Sequence, residues 1–268
     1  IRQTYERCAR KSPRRATYAM QVLRAVLRWH GAVIAGNPLS KDTAGRQRIV
    51  LANAGGDPSP IPAERLGAWW NAAGQAASRV AADTYRFQLL TGCRGVEIHG
   101  HKKLGYAPLK VGDVDLAGAR VVLRDTKNRS DHRVLLSKQA LQIVREHCQG
   151  KEAEAALFPV VDARKTLRAI NRAAQTHVQG HGLRATFASV AEGLVSAAVL
   201  KRMMNHAVTA DVTLGHYVAK SDAQLRAGWQ AVADWIEQEA ALATRLAAVG
   251  GKGDRQAAEW LTLRAAAR

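Results

Sequence analysis

Acidic residues are scarce in this chain. Its 268 residues hold 22 Asp and Glu against 40 Lys and Arg, a formal net charge of +18 at pH 7. An excess of that size repels itself in a compact fold and points to a polyanion as the normal partner, nucleic acid before all others. Cysteine is scarcer still. Cys8, Cys93 and Cys148 are too scattered for a CxxC zinc site, and an odd count leaves one thiol over in a disulfide framework, so a reducing cytoplasm is expected. Long apolar runs are missing too: none approaches the ~18 residues of a spanning helix. No signal-peptide pattern opens the chain, and a membrane is not expected as partner. The first residue is Ile1 rather than Met, which predicts a longer natural protein with sequence upstream.

What is present is ample material for a core. Hydrophobic residues make up 47% of the chain, enough for one large domain or a small domain beside a larger one. From Pro13 to about Ala35, Tyr18, Val22, Ala25 and Trp29 recur at helical spacing, while Arg24 and Arg28 lie four apart on another face. Residues 1–58 carry eleven Lys or Arg, including Arg14 and Arg15, against Glu6, Asp42 and Asp57. The stretch NAGGDPSPIP then concentrates the residues that punctuate structure and reads as a linker, with a boundary near residue 60. Beyond it, AERLGAWWNAAGQ and RVAADTYRFQLLTG read as helices. LKVGDVDL, ARVVLRDT and HRVLLS alternate as short strands and predict a three-stranded antiparallel meander. The remainder is helical again, and a final long helix carries Leu225, Trp229, Val232 and Ile236 as one stripe. The expected fold is mainly α with one small sheet.

Three short segments carry the chemistry. TGCRGVEI sets Arg94 at the end of a helix with Glu97 three residues on, able to brace it. HGLRATF sets His181 and Arg184 on one face of a helical turn. NHAVTADVTLGHYV holds His206, His216 and Tyr217. A phosphodiester in transfer needs its developing charge spread onto fixed donors, and each guanidinium offers a planar fork to the non-bridging oxygens. The bland reading is that each Arg is one surface charge among many and that His181 is a cap. GDVD reads as a strand with a turn residue rather than a carboxylate metal pair, a metal pair at HGH lacks companion ligands, and VGGKGD lacks the GxxxxGK[ST] spacing of a phosphate loop.

Together, TGCRGVEI, HGLRATF and an NH followed eleven residues later by a tyrosine resemble the signature boxes of the tyrosine recombinase (phage integrase) family. The resemblance spans roughly residues 60 to 225. It implies a partial helical core-binding domain that clamps DNA over residues 1–58, with Arg14, Arg15, Arg24 and Arg28 on the DNA. It implies a catalytic domain with a C-terminal tail helix over 59–268. Within that domain it makes Arg94 and Arg184 the phosphate clamp, His181 the imidazole beside the nucleophile, His206 a further phosphate donor and Tyr217 the nucleophile. The family's lysine lies in the turn between the second and third strands. Lys127 fits, with Arg129 and Arg133 close by in sequence and Arg129 a further DNA contact. His216 competes with His206 as the phosphate-contacting imidazole, and HGHKKLGYAP looks like an expanded loop. The implied reaction cleaves and rejoins duplex DNA through a 3'-phosphotyrosyl enzyme, without metal or cofactor. It runs as a tetramer on DNA in the cytoplasm of a bacterial cell, on the nucleoid. A type IB topoisomerase-like nicking and closing enzyme, and an inactive DNA-binding protein of the same fold, are the competing readings. Past GGKGD, Ala257, Trp260, Leu261 and Ala265 form a short stripe that docks on its own domain or on a neighbouring subunit.

Overall fold

The computed structural model describes residues 1–40, 48–51, 59–101, 103, 105–127, 130–160, 162–206 and 222–250, with side chains to 248. The chain divides into two compact units, Ile1–Asp57 and Pro58–Arg268.

The first unit is built on α1 (Arg2–Lys11) and α2 (Pro13–Trp29). Ser12 between them is extended, and Pro13 opens α2 at a position where a missing N–H costs no helical hydrogen bond. The buried face of α2 is Ala16, Thr17 and Met20, and Met20 packs with Leu39 and Ile49. The stripe expected from the spacing lies elsewhere: Tyr18 is 67% and Trp29 87% exposed, and Val22 is exposed as well. Helix α2 carries two apolar stripes, and this small core takes the one met by Leu39, Ile49 and Tyr5. Arg14, Arg15 and Arg28 are exposed and Arg24 is half-buried.

The second unit is mostly helical with one three-stranded antiparallel sheet. Its first helices are α3 (Ala63–Gly74), α4 (Arg79–Thr91) and α5 (Gly95–His99). The strands β1 (Val114–Asp115), β2 (Arg120–Leu123) and β3 (His132–Leu135) follow, in sheet order β1-β2-β3. Val121 faces Val134 across β2 and β3, and both are fully buried, whereas Val122 and its partner Arg133 point the other way. Among the described residues five more helices follow: α6 (Lys138–Cys148), α7 (Arg164–Ala174), α8 (Gly180–Glu192), α9 (Ala197–Met203) and α10 (Asp222–Gly250). Leu225, Trp229, Val232 and Ile236 of α10 are all buried.

Helix α4 runs through the middle, with ten of its thirteen residues buried. Its Asp83 has no exposed surface, so burial pushes the carboxyl pKa up; hydrogen bonds from His147, Arg79 and Arg86 outweigh that and hold it below the ordinary carboxylate range. The helix stops at Gly92, whose φ of 70° suits glycine, and the Phe187 ring of α8 fills the space a Cβ would need. Before α3, Ile61 is buried and its N–H donates to the Thr186 hydroxyl on α8 at 2.8 Å. Ser59 contributes a carbonyl that lies where a Cβ on Gly182 would sit. Among the described residues no helix is long and apolar enough to cross a membrane.

Candidate active site

Three segments converge beside the end of α4: the α4–α5 junction, the start of α8, and the turn that closes α9. Two hydrogen bonds set the first pair in register. Gln88 near the end of α4 donates to the Gly180 carbonyl at 2.8 Å, and Arg184 donates through Nη1 to the Gly92 carbonyl at 2.6 Å.

Arg94 caps α5. Its backbone N–H donates to Glu97 Oε2 at 2.7 Å and its Nη1 to Glu97 Oε1 at 2.8 Å, while Glu97 itself is buried. The guanidinium is thus held by a fixed carboxylate with its side chain still 19% exposed. Arg184 is 5% exposed, and its Nη2 donates to the Met204 carbonyl and approaches His206 Nε2 at 3.3 Å. Burial first, and then the Arg94 guanidinium, pull its pKa below the ordinary arginine value. Two guanidiniums close together with Glu97 as the nearest compensation make a pocket that favours an anion.

His206 is exposed at its surface, and the partial burial of the ring, followed by Arg184, Arg94 and Lys201, lowers its pKa. An arginine has only donors, so in the contact with Arg184 the Nε2 lone pair accepts, which puts the proton of a neutral ring on Nδ1. His181 is exposed on the first turn of α8, three residues before Arg184.

Lys127 is exposed in the loop between β2 and β3. The stem of that loop is closed by Asp131, which accepts from Arg124 at 2.7 Å and from the Asp125 N–H at 3.1 Å. Ser130 closes it further, accepting from the Thr126 N–H at 3.1 Å and the Thr126 hydroxyl at 2.8 Å. Lys127 follows directly after the last of these bonds. Arg133 is engaged elsewhere, with Asp222 at 2.7 Å. Tyr217, His216 and Arg129 lie outside the described residues, as does the stripe from Ala257 to Ala265. Among described tyrosines, Tyr85 is 5% exposed and is pushed up to about 12, by burial first and then the Asp162 carboxylate, against the opposing pull of Arg164, which makes it a poor nucleophile. Cys93, beside Arg94, is wholly buried and also pushed up to about 12, chiefly by burial. No group of three or more His, Cys, Asp or Glu placed to hold a metal occurs among the described residues.

The sequence held further signals that its motifs left unused. Arg164, Arg168 and Arg172 recur every fourth residue along α7, all exposed, and line a groove of about 980 Å³ that ends at Gly95 and Gly180, the neighbours of Arg94 and His181. Arg164 is paired with Asp162. Thr126, His132 and Asn205 carried no signal in sequence, being polar residues whose contacts are long-range.

Residues 73–224 match the phage integrase family model. The chain belongs to that family. The integrase of the Tn1549 transposon, in complex with circular intermediate DNA, is similar at 15% identity with a TM-score of 0.54, over 84% of this chain and 82% of that one. Also similar are the integrase of mycobacterium phage Brujita (16% identity, TM-score 0.49, 81% of this chain and 70% of that one) and the catalytic domain of the bacteriophage HP1 integrase (18%, 0.44, 56% and 82%). At such identities the likeness to the Tn1549 enzyme is one of fold, the mostly helical integrase domain with its small sheet. No curated protein matches the chain.

Three imidazoles in or near this site, His99, His132 and His206, have pKa values lowered, in each case by burial first. In the unfolded chain they take up protons near the ordinary value of about 6.5; in the folded integrase they stay neutral to lower pH. Stability is therefore full above that value and is lost as pH falls through it toward the folded values. The denaturation midpoint at constant ionic strength is expected to drop between pH 7.5 and pH 5.5. An unchanged midpoint means that the three rings are solvated like free histidine.

Proposed function

We propose that this integrase-family chain is a site-specific DNA recombinase that cleaves and rejoins duplex DNA through a 3'-phosphotyrosyl intermediate on Tyr217. The observation that carries this reading is the meeting of Arg94 and Arg184, ninety positions apart in sequence, around a space flanked by the neutral His206 ring. Both guanidiniums donate to the non-bridging oxygens of the scissile phosphate through the hydrogens that their protein partners leave over, and their charge grows in value as negative charge develops there. His206 Nδ1–H adds a third donor. A phenol ordinarily titrates near 10, so the cationic pocket lowers the cost of the Tyr217 oxyanion, and His181 accepts its proton. Lys127 gives a proton to the departing 5' oxygen as general acid. The phosphoester bond is conserved in the tyrosyl link, so a 5'-hydroxyl from a second strand reverses the step without ATP, metal or cofactor.

In this reading residues 1–58 close on one side of the duplex through Arg14, Arg15, Arg24 and Arg28. Residues 59–268 supply the chemistry, Arg129 adds a DNA contact, and four protomers assemble on paired sites in the bacterial cytoplasm. Trapping the covalent complex on random genomic fragments and sequencing the attached ends tests it and maps the target. Two-site recombination by the same preparation supports the proposal. Relaxation of supercoils without recombination supports a type IB topoisomerase-like enzyme, and binding with no covalent product an inactive DNA-binding protein.

The α7 groove gives a second expectation. A clamp neutralising six to ten phosphates loses about 10³ to 10⁵ in affinity between about 50 and 200 mM salt. If Arg168 and Arg172 hold two of them, the double change Arg168→Ala, Arg172→Ala lowers the slope of log K against log salt by about two. Titration by fluorescence anisotropy reads both slopes. Parallel slopes for the two proteins exclude α7 from the DNA.

A further inference from the structure

Met203, Met204 and Asn205 close α9 immediately before His206, and each is tied to a different part of the site. The Met203 carbonyl accepts from the His132 ring at the start of β3 at 3.2 Å, and the Met204 carbonyl accepts from Arg184. Asn205 Nδ2 donates to the Thr126 hydroxyl oxygen at 2.9 Å, one residue before Lys127. Asn205 has φ 48°, in the left-handed region that asparagine enters more readily than other side-chain-bearing residues. Thr126 is fully buried. Its single hydroxyl hydrogen goes to the Ser130 carbonyl at 2.8 Å, which leaves a lone pair for Asn205 and fixes the direction of the relay. Both stems of the Lys127 loop, Thr126 and His132, are thereby fastened to the one turn that presents His206 and that Arg184 grips.

We infer that Asn205 is a positioning residue that couples the Lys127 loop, through Thr126, to the Arg184–His206 cluster. The inference rests on the reading of Lys127 as general acid. In cleavage the Tyr217 oxygen gives its proton to His181 and bonds to phosphorus, the bond from phosphorus to the 5' oxygen breaks, and that oxygen takes a proton from the Lys127 ammonium, which becomes an amine. Rejoining runs the same transfers backwards. Cutting the tether leaves the Arg94–Glu97 and Arg184–Gly92 bonds in place and loosens the loop that carries the proton donor, so the defect falls on the step that needs the proton.

Two variants cut the tether from its two ends. Asn205→Gly keeps the left-handed backbone and deletes the donor; Thr126→Val deletes the acceptor and keeps the Thr126 N–H bond to Ser130. The substrate is a suicide duplex carrying the cleavage site mapped by trapping, made once with the natural phosphodiester and once with sulfur as the 5' bridging atom. A thiolate leaves without help from an acid. General acid catalysis is worth about 10² to 10⁴, so each variant is expected to cleave the phosphodiester about 10- to 100-fold more slowly and the sulfur substrate within about threefold of the parent. In free protein the Thr126 amide is expected to exchange faster while the melting temperature holds. Equal losses on both substrates, or parental rates on both with parental exchange at Thr126, overturn the inference. Lys127→Ala separates it from its premise. If sulfur restores Lys127→Ala while Asn205→Gly and Thr126→Val behave as the parent, the coupling fails alone. If sulfur does not restore Lys127→Ala, the general-acid reading fails, and exchange at Thr126 still reports on the tether.

Discussion

Arg94→Ala is expected to slow strand cleavage by about 10³ to 10⁵, the range of an arginine that stabilises a phosphoryl transition state. Affinity for DNA should change little, because one phosphate contact among many carries a small share of binding. Arg94 is the cleaner of the two arginines to remove. It is half-buried, and its contacts with Glu97 include one made by its own backbone, which alanine retains. Arg184→Ala strips donors from the Gly92 and Met204 carbonyls, and each buried acceptor left unpaired costs about 1–3 kcal/mol. Part of its effect would therefore be lost folding rather than lost chemistry. Single-turnover cleavage of a nicked suicide duplex, beside a gel-shift titration at fixed salt, distinguishes rate from binding. Losses that match in the two assays would make Arg94 one more member of the electrostatic surface.

The second large effect belongs to Tyr217. Tyr217→Phe removes the oxygen proposed to attack the phosphate, so the covalent band on a denaturing gel is expected to vanish while the duplex is still bound. Tyr85 is a weak substitute, because burial raises its pKa to about 12 and leaves 5% of it exposed. Tyr106 is half-buried and forms an isolated backbone bridge with His101. A band of parental intensity from Tyr217→Phe would move the nucleophile to one of these or to another residue.

Local order was legible in sequence; choice between equivalent surfaces was not. The meander could be read because period-two alternation at Val121, Leu123, Val134 and Leu135 has few other uses. The α10 stripe from Leu225 to Ile236 was readable for the same kind of reason. Helix α2 defeated the spacing argument because it has two apolar stripes of similar strength. The contact with Leu39 and Ile49 that selects Met20 over Val22 is not encoded in α2 itself. At the site, the residue types and their order along the chain were visible, and the burial of Arg184 was not. That burial depends on carbonyls at Gly92 and Met204, which no side-chain pattern advertises. The Asn205–Thr126 bond spans 79 positions and joins two ordinary polar residues, so no local rule points to it.

The path of residues 59–61 sets the seam for hybrid enzymes. Anyone wishing to retarget a protein of this family would fuse a foreign DNA-reading module to the second unit, and the Gly- and Pro-rich stretch invites a junction anywhere along it. The stretch is not uniform. Ile61 is buried and bonded to Thr186, and Ser59 lies against Gly182, so this short strap belongs to the helix that bears Arg184. A graft sewn in after Pro62 would discard the strap and uncover that helix, whereas one ending before Ser59 would carry the strap along with the helix it covers.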